Sequence, residues 1–271
     1  MANPRPLQGK VICITGAAQG IGKATAQYLA ARGATLSLAD LTFEKGSAVV
    51  SGEVGSDGLP GLQSMQMNVD VCDPETVKAW IEATVEKFGR LDGCVNNAVK
   101  HAEFFELMLY LPGVLPRRFA SITEVELDDW NQVINVNLTG CFTCLKYELQ
   151  HIVDEGSIVN ISSTAGLRGA PNMPAYVASK HGVVGLTKAA AHEGSARKIR
   201  VNAICPAPIR TAMNDRLAEE GFYPEGQVLP NLLISRTGEP EEVAASIAFF
   251  LSDETKFHTA VIHPVDGGLM K

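Results

Sequence analysis

The sequence predicts a doubly wound α/β fold built as one domain, and three observations carry that expectation. Short β-rich runs alternate with longer stretches of helical spacing from one end of the chain to the other. The short runs read as strands buried on both faces, as parallel strands covered by helices are. No linker-like, repetitive or low-complexity stretch divides the 271 residues, so one domain covering 1–271, with its core from about residue 9, is expected rather than two.

Taken in order, Val11–Thr15 is the first expected strand, and Ile21–Arg32 is a helix stopped by Gly33. Thr35–Asp40 is a strand, Thr42–Val54 a helix and Ser64–Val69 a strand. Pro74–Phe88 opens on a first-turn proline and ends at Gly89, the usual asymmetry of helix termini. Leu91–Asn96, Ser157–Ile161, Arg200–Ile204 and Ala260–Val265 complete the strands. Asp128–Ile152, Ala175–Arg197 and Pro240–Leu251 complete the helices. Such alternation predicts right-handed crossovers and a parallel sheet with helices on both faces. Two connections break the rhythm, an insertion at about 99–122 and a segment at about 212–239. Connections longer than ~12–15 residues usually serve as lids or binding loops, and in open α/β sheets they follow the strand ends where ligands bind.

Composition narrows the function. Lys and Arg total 23 against 30 Asp and Glu, and the net charge of −7 argues against nucleic acid or an anionic membrane held by bulk charge. No stretch approaches the ~18 apolar residues of a membrane span, and Met1–Lys10 lacks the apolar core of a secretory signal. A soluble cytoplasmic protein with a small-molecule partner is expected. The six cysteines are scattered through mostly apolar runs and read as reduced thiols. The one CxxC, Cys141–Cys144, lies in a helical pattern with no second pair and no nearby His, and the histidines show no ligand spacing, so no metal site is expected.

Directly after the first strand, Thr15-Gly16-Ala17-Ala18-Gln19-Gly20-Ile21-Gly22 opens into a helix. Glycines at 16, 20 and 22 allow a tight turn, close approach of a pyrophosphate and close helix packing, while the helix N-terminus offers N–H groups to the anion. Asp40 ends the second strand, 18 residues beyond Gly22, near the spacing of a carboxylate that accepts from an adenosine ribose. It would repel a 2′-phosphate, and neither Gln19 nor Leu41 supplies a cation to hold one. The expected cofactor is therefore NAD rather than NADP. The plainer role for Asp40 is to cap the helix after it.

Tyr176 and Lys180 stand at i, i+4 at the start of a helix, on one face. A phenol with a pKa near ~10 is a poor base at neutral pH, so an adjacent ammonium that favours the phenolate is a physical requirement of that role. Ser163, thirteen residues earlier at a strand end, can donate to a carbonyl oxygen as it gains negative charge. Asn137 lies mid-helix, where propensity gives it no reason to be.

Together with Asp70-Val71, Asn96-Asn97-Ala98, Pro206–Thr211 and Asp266-Gly267-Gly268, these motifs resemble the short-chain dehydrogenase/reductase family from about Gly9 onward. The resemblance implies a Rossmann fold with a seven-stranded sheet. It implies Tyr176 as general acid/base, Ser163 as donor to the substrate oxygen, Lys180 beside both the tyrosine and the nicotinamide ribose, and Asn137 in a water relay. It also implies Asp70 and Val71 at the adenine, Asn96 and Ala98 on the adenosine ribose side, and Ile209 and Thr211 at the carboxamide. Homo-oligomers, tetrameric or dimeric, packed through the 128–152 and 175–197 helices would follow.

Three positions depart from the family pattern: Val99 and Ala207 where glycine is usual, and Ala260 after Thr259, again for glycine. The insertion carries eight large apolar residues between Phe104 and Leu115, which with the loop at 212–235 suggests a pocket for a bulky hydrophobic alcohol or ketone of terpenoid, steroid or polyketide type. The expected function is NAD(H)-dependent interconversion of a secondary alcohol and a ketone. Non-redox chemistry on the same fold and cofactor binding without turnover are the alternatives.

Overall fold

The computed structural model describes residues 5–43, 49–50, 63–98, 120–211 and 232–271. The expected helix Thr42–Val54, the Val99 departure, and most of the 99–122 insertion and the 212–239 segment lie outside these residues. In chain order the elements are β1 (Val11–Thr15), α1 (Gly20–Ala30), β2 (Thr35–Asp40), β3 (Ser64–Asn68), α2 (Pro74–Phe88), β4 (Gly93–Asn96), α3 (Leu127–Ile134), α4 (Gly140–His151), β5 (Ser157–Ile161), α5 (Pro174–Glu193), β6 (Arg200–Pro206), α6 (Pro240–Leu251) and β7 (Ile262–Val265).

The seven strands form one sheet in the order β3-β2-β1-β4-β5-β6-β7, every pair parallel. The pleat of β1 explains how the two faces are filled. Ile12 and Ile14 join Leu29 of α1 and Val243, Ile247 and Phe250 of α6, whereas Cys13 between them joins Trp80 and Ile81 of α2 and Cys144 and Leu145 of α4. A strand with apolar residues at every position is what such double coverage requires.

Two expectations change. Neither edge strand is buried on both faces: in β3 Gln66 and Asn68 are exposed while Met65 and Met67 pack inward, and in β7 Pro264 is exposed and its neighbours half-buried, because each has a partner strand on one side only. The continuous helix expected over 128–152 is interrupted by a π turn at Asn135–Thr139, in which the Gly140 N–H reaches back to the Asn135 carbonyl. Gly140 allows close packing at that break, since a Cβ there would sit 2.7 Å from Val71 Cγ2.

Helix ends follow local chemistry. Asp73 caps α2 by accepting from Glu75 N at 3.0 Å, and Gly89 ends it with φ 77°. Glu239 and Glu242 form a capping box at the start of α6, and Arg236 grips Glu242 through two 2.7 Å hydrogen bonds.

Candidate active site

The glycine turn sits between β1 and β2, and β1 itself lies between β2 and β4, where the chain's crossovers diverge and ligand crevices form. Thr15 Oγ1 accepts from the backbone N–H groups of Asn97 and Ala98, both at 3.0 Å, and the Asn97 amide donates to Gly16 O at 3.2 Å. The end of β4 is thereby stitched to the turn. Gly22 has no room for a side chain: a Cβ would lie 2.0 Å from Gly16 O. Gln19 provides no side-chain cap to α1, and no acid lies in its first turn. No N-cap side chain therefore competes with an anion at this helix start, as a pyrophosphate cradle requires.

Asp40 Oδ2 accepts from Ala18 N at 2.9 Å, so its carboxylate reaches the glycine turn. Leu41 is half exposed beside it. Thr211 meets the turn from the other side, its Cγ2 3.4 Å from where a Gly20 Cβ would be, and Ile209 is buried and paired with Gly238. Ile21 packs against the core of that face. Asp70 lies exposed and accepts from Cys72 N at 2.9 Å, whereas Val71 is buried. Ala98 lies half-buried next to Asn97. Asn96 is turned inward: its amide donates to Glu148 Oε2 and Asn160 Oδ1, each at 2.9 Å.

The second group of residues gathers around the start of α5. Ser163 leaves β5 with extended backbone, and its Oγ accepts from Ala165 N at 3.1 Å to begin a short 3₁₀ turn. Ser162 ties that strand end to α5 by donating to Lys180 O at 2.8 Å. Lys180 is 1% exposed; its Nζ donates to Ile161 O at 3.0 Å and lies 5.7 Å from the centre of the Tyr176 ring. Burial pulls its pKa down to about 8, against smaller opposing effects of Cys141 and Cys205. Ser179 Oγ donates to Tyr176 O at 2.8 Å, and Asn137, from the π turn, donates to Ser179 Oγ at 3.3 Å. π turns often mark functional sites because they redirect a side chain out of the helical register. Here the turn sends Asn137 onto α5 between Tyr176 and Lys180.

Sequence reasoning assigned no part to Thr15, Ser162, Ser179 or Glu148. The first three are short polar residues whose hydrogen bonds run to backbone far along the chain or to another helix, which no local pattern announces. Glu148 carried a signal, an acid inside the apolar spacing of a helix. Cys141 and Cys144 lie near it, and burial pushes the Cys141 thiol up to about 12 and raises that of Cys144 as well, so both remain protonated.

A family profile described as Enoyl-(Acyl carrier protein) reductase matches residues 16–270. A short-chain dehydrogenase/reductase named ABA4 from Pyricularia oryzae (strain 70-15) is 40% identical over 263 residues, covering 97% of this chain and 92% of that one. The chain belongs to the short-chain dehydrogenase/reductase family. Among solved structures, levodione reductase superposes with a TM-score of 0.80 at 35% identity, covering 97% of this chain and 98% of that one. ElxO with NADP bound superposes with a TM-score of 0.79 at 30% identity, covering 96% and 98%. As a member of the family the protein is an oxidoreductase of the ketoreductase and dehydrogenase type that binds a nicotinamide cofactor and acts on a small molecule. Among the described residues no helix is long and apolar enough to cross a membrane.

Proposed function

We propose that this short-chain dehydrogenase/reductase interconverts a secondary alcohol and a ketone on a bulky hydrophobic substrate, with NAD(H) as hydride carrier. The observation that carries the chemistry is Lys180, sealed under Tyr176 and held by the end of the strand that delivers Ser163. When bound, the nicotinamide takes or supplies the hydride. Ser163 Oγ–H donates to the substrate oxygen, and Tyr176 accepts the hydroxyl proton in oxidation or returns it in reduction. Lys180, as ammonium, favours the Tyr176 phenolate. Asn137 serves the path by which that proton is exchanged.

The preference for NAD rests on Asp40, fixed at the glycine turn by Ala18 N, beside Gln19 and Leu41, neither of which can neutralise a phosphate. ElxO binds NADP, so this preference is argued from the present chain's own residues. Gly16, Gly20, Ile21 and Gly22 would hold the pyrophosphate, Asp70, Val71, Asn96 and Ala98 the adenosine, and Ile209 and Thr211 the nicotinamide. The substrate class rests on the apolar composition of Phe104–Leu115, and the likeness to a reductase named for a dione supports a ketone as the reacting group. A homotetramer or dimer packed through α3, α4 and α5 is supported by the outward-facing Leu127 and Phe142.

Fluorescence titration with NADH and NADPH, followed by assay of Tyr176→Phe on cyclic ketones, tests the reading. NADH should bind more tightly, and the variant should lose at least ~100-fold in turnover, the usual weight of a positioned acid/base, while still binding NADH. Tighter NADPH binding would overturn the role of Asp40, and undiminished turnover would overturn that of Tyr176.

A further inference from the structure

Behind the turn and the Tyr176 group lies a buried polar seam that the proposed chemistry does not use. Glu148 is fully buried on α4, with the thiols of Cys94, Cys141 and Cys144 around it. Its Oε2 takes one Asn96 N–H and Asn160 Oδ1 takes the other. Asn160 is fixed in turn: its own amide donates to Thr187 Oγ1 at 2.9 Å, and that hydroxyl donates to Val183 O at 2.8 Å.

An amide has two N–H hydrogens, and both of those on Asn96 are committed. Turned over, it would set its oxygen against two other oxygens, so Glu148 and Asn160 fix which way it points. Asn96 Oδ1 is left as a buried acceptor with no partner among the described residues. Such an atom loses about 1–3 kcal/mol unless a donor reaches it. Beside it is a cavity of about 10 Å³ whose walls include Thr15, Asn96, Asn137, Cys141 and Cys144. That is room for about one water, and the polar wall groups suffice to bind it.

We propose that this cavity is an internal water site in which the water donates to Asn96 Oδ1 and meets Asn137 as its second partner, and that Glu148 is the positioning residue that builds it by locking the Asn96 amide. The water then stands at the Asn137 end of a cavity that Val71 and Ala98 also border. The kinetic consequence rests on the dehydrogenase reading above; the water site itself does not.

Crystal structures of the wild type, Glu148→Gln and Glu148→Leu, at a resolution that shows ordered water, test the site directly. A water within hydrogen-bonding distance of Asn96 Oδ1 is expected in the wild type and in Glu148→Gln, which keeps an acceptor for the Asn96 N–H. It should be absent or displaced in Glu148→Leu. In turnover, Glu148→Leu should lower kcat by about fivefold, the weight of one neutral hydrogen bond, and change the solvent isotope effect. Glu148→Gln should restore both. A dry cavity in the wild type overturns the proposal even if the leucine variant does not fold, and so does a glutamine variant as impaired as the leucine one. Failure of the dehydrogenase reading would instead show in Tyr176→Phe and leave the crystallographic result standing.

Discussion

Ala260 holds φ 58°, in the left-handed region where a Cβ costs about 1–2 kcal/mol. The conformation is imposed by the join between β6 and β7. Ala260 N donates to Val201 O at 2.8 Å, Thr259 Oγ1 accepts from Val201 N at 3.2 Å, and Asn202 holds both His258 O and Val261 N. The sequence marks Thr259-Ala260 as a departure from a glycine; only the backbone reveals that the glycine's conformation has been retained. Ala260→Gly should therefore stabilise the protein by about 0.5–1 kcal/mol, the relieved strain less the greater entropy glycine loses on folding. The check is the denaturant midpoint, and an unchanged or lower midpoint would mean that the join bears no strain. Ala207, the other described departure, has no such conformation: its N–H donates to Val265 O at 3.0 Å, as a strand residue's would.

Among the elements, α1 shows how far a motif can be read before packing decides. The glycine spacing predicts the turn, yet the distances give Gly16, Gly20 and Gly22 different parts. Gly16 and Gly20 take positive φ, whereas Gly22 is excluded from bearing a side chain by the Gly16 carbonyl. Gly22→Ala should cost about 3 kcal/mol, the upper end for overpacking, and weaken NADH binding because the turn must open. Thermal unfolding with and without NADH measures both, and a variant with unchanged melting temperature and affinity would contradict the packing argument. The π turn at Asn135–Thr139 was not legible. Apolar spacing over 128–152 is compatible with an unbroken helix, and the i→i+5 bond coincides with the packing of Gly140 against Val71, a contact made 69 residues apart in sequence.

On the scale of the whole molecule, Glu148 and Lys180 are both buried where charge is disfavoured. Burial raises the Glu148 pKa from 4.5 to about 7, and hydrogen bonds from Asn96 and Cys94 only partly oppose it. Below pH 4.5 both folded and unfolded chains hold this proton. From there to about pH 7 the unfolded chain releases it while the folded one keeps it, so stability declines as pH rises, by roughly 3 kcal/mol in all. Glu148→Gln removes that slope and should gain on the wild type by about this amount between pH 4.5 and 7, then run parallel. Urea midpoints across that range give the difference, and a constant offset would show that Glu148 ionises normally. Lys180 works in the opposite sense: its pKa is lowered from 10.5 to about 8, so its contribution is lost as pH falls through 8.

The alternation of runs, the glycine turn and the Tyr176/Lys180 spacing are local, and the sequence alone determined them: the strands and most helices of the described residues, the family, and the side chains gathered at α5. What lies between distant segments was decided only by the tertiary structure. Asn96 is expected on the adenosine ribose side from its motif, and the direction of its amide is set by Glu148 and Asn160, 52 and 64 residues away. Asp40 ends β2, and the Ala18 N–H, 22 residues back in the chain, brings its carboxylate to the glycine turn. In each case the side chain can satisfy its hydrogen bonds in more than one way. The packing of the sheet against its helices, not the residue's neighbours in the chain, selects which donors and acceptors come within reach.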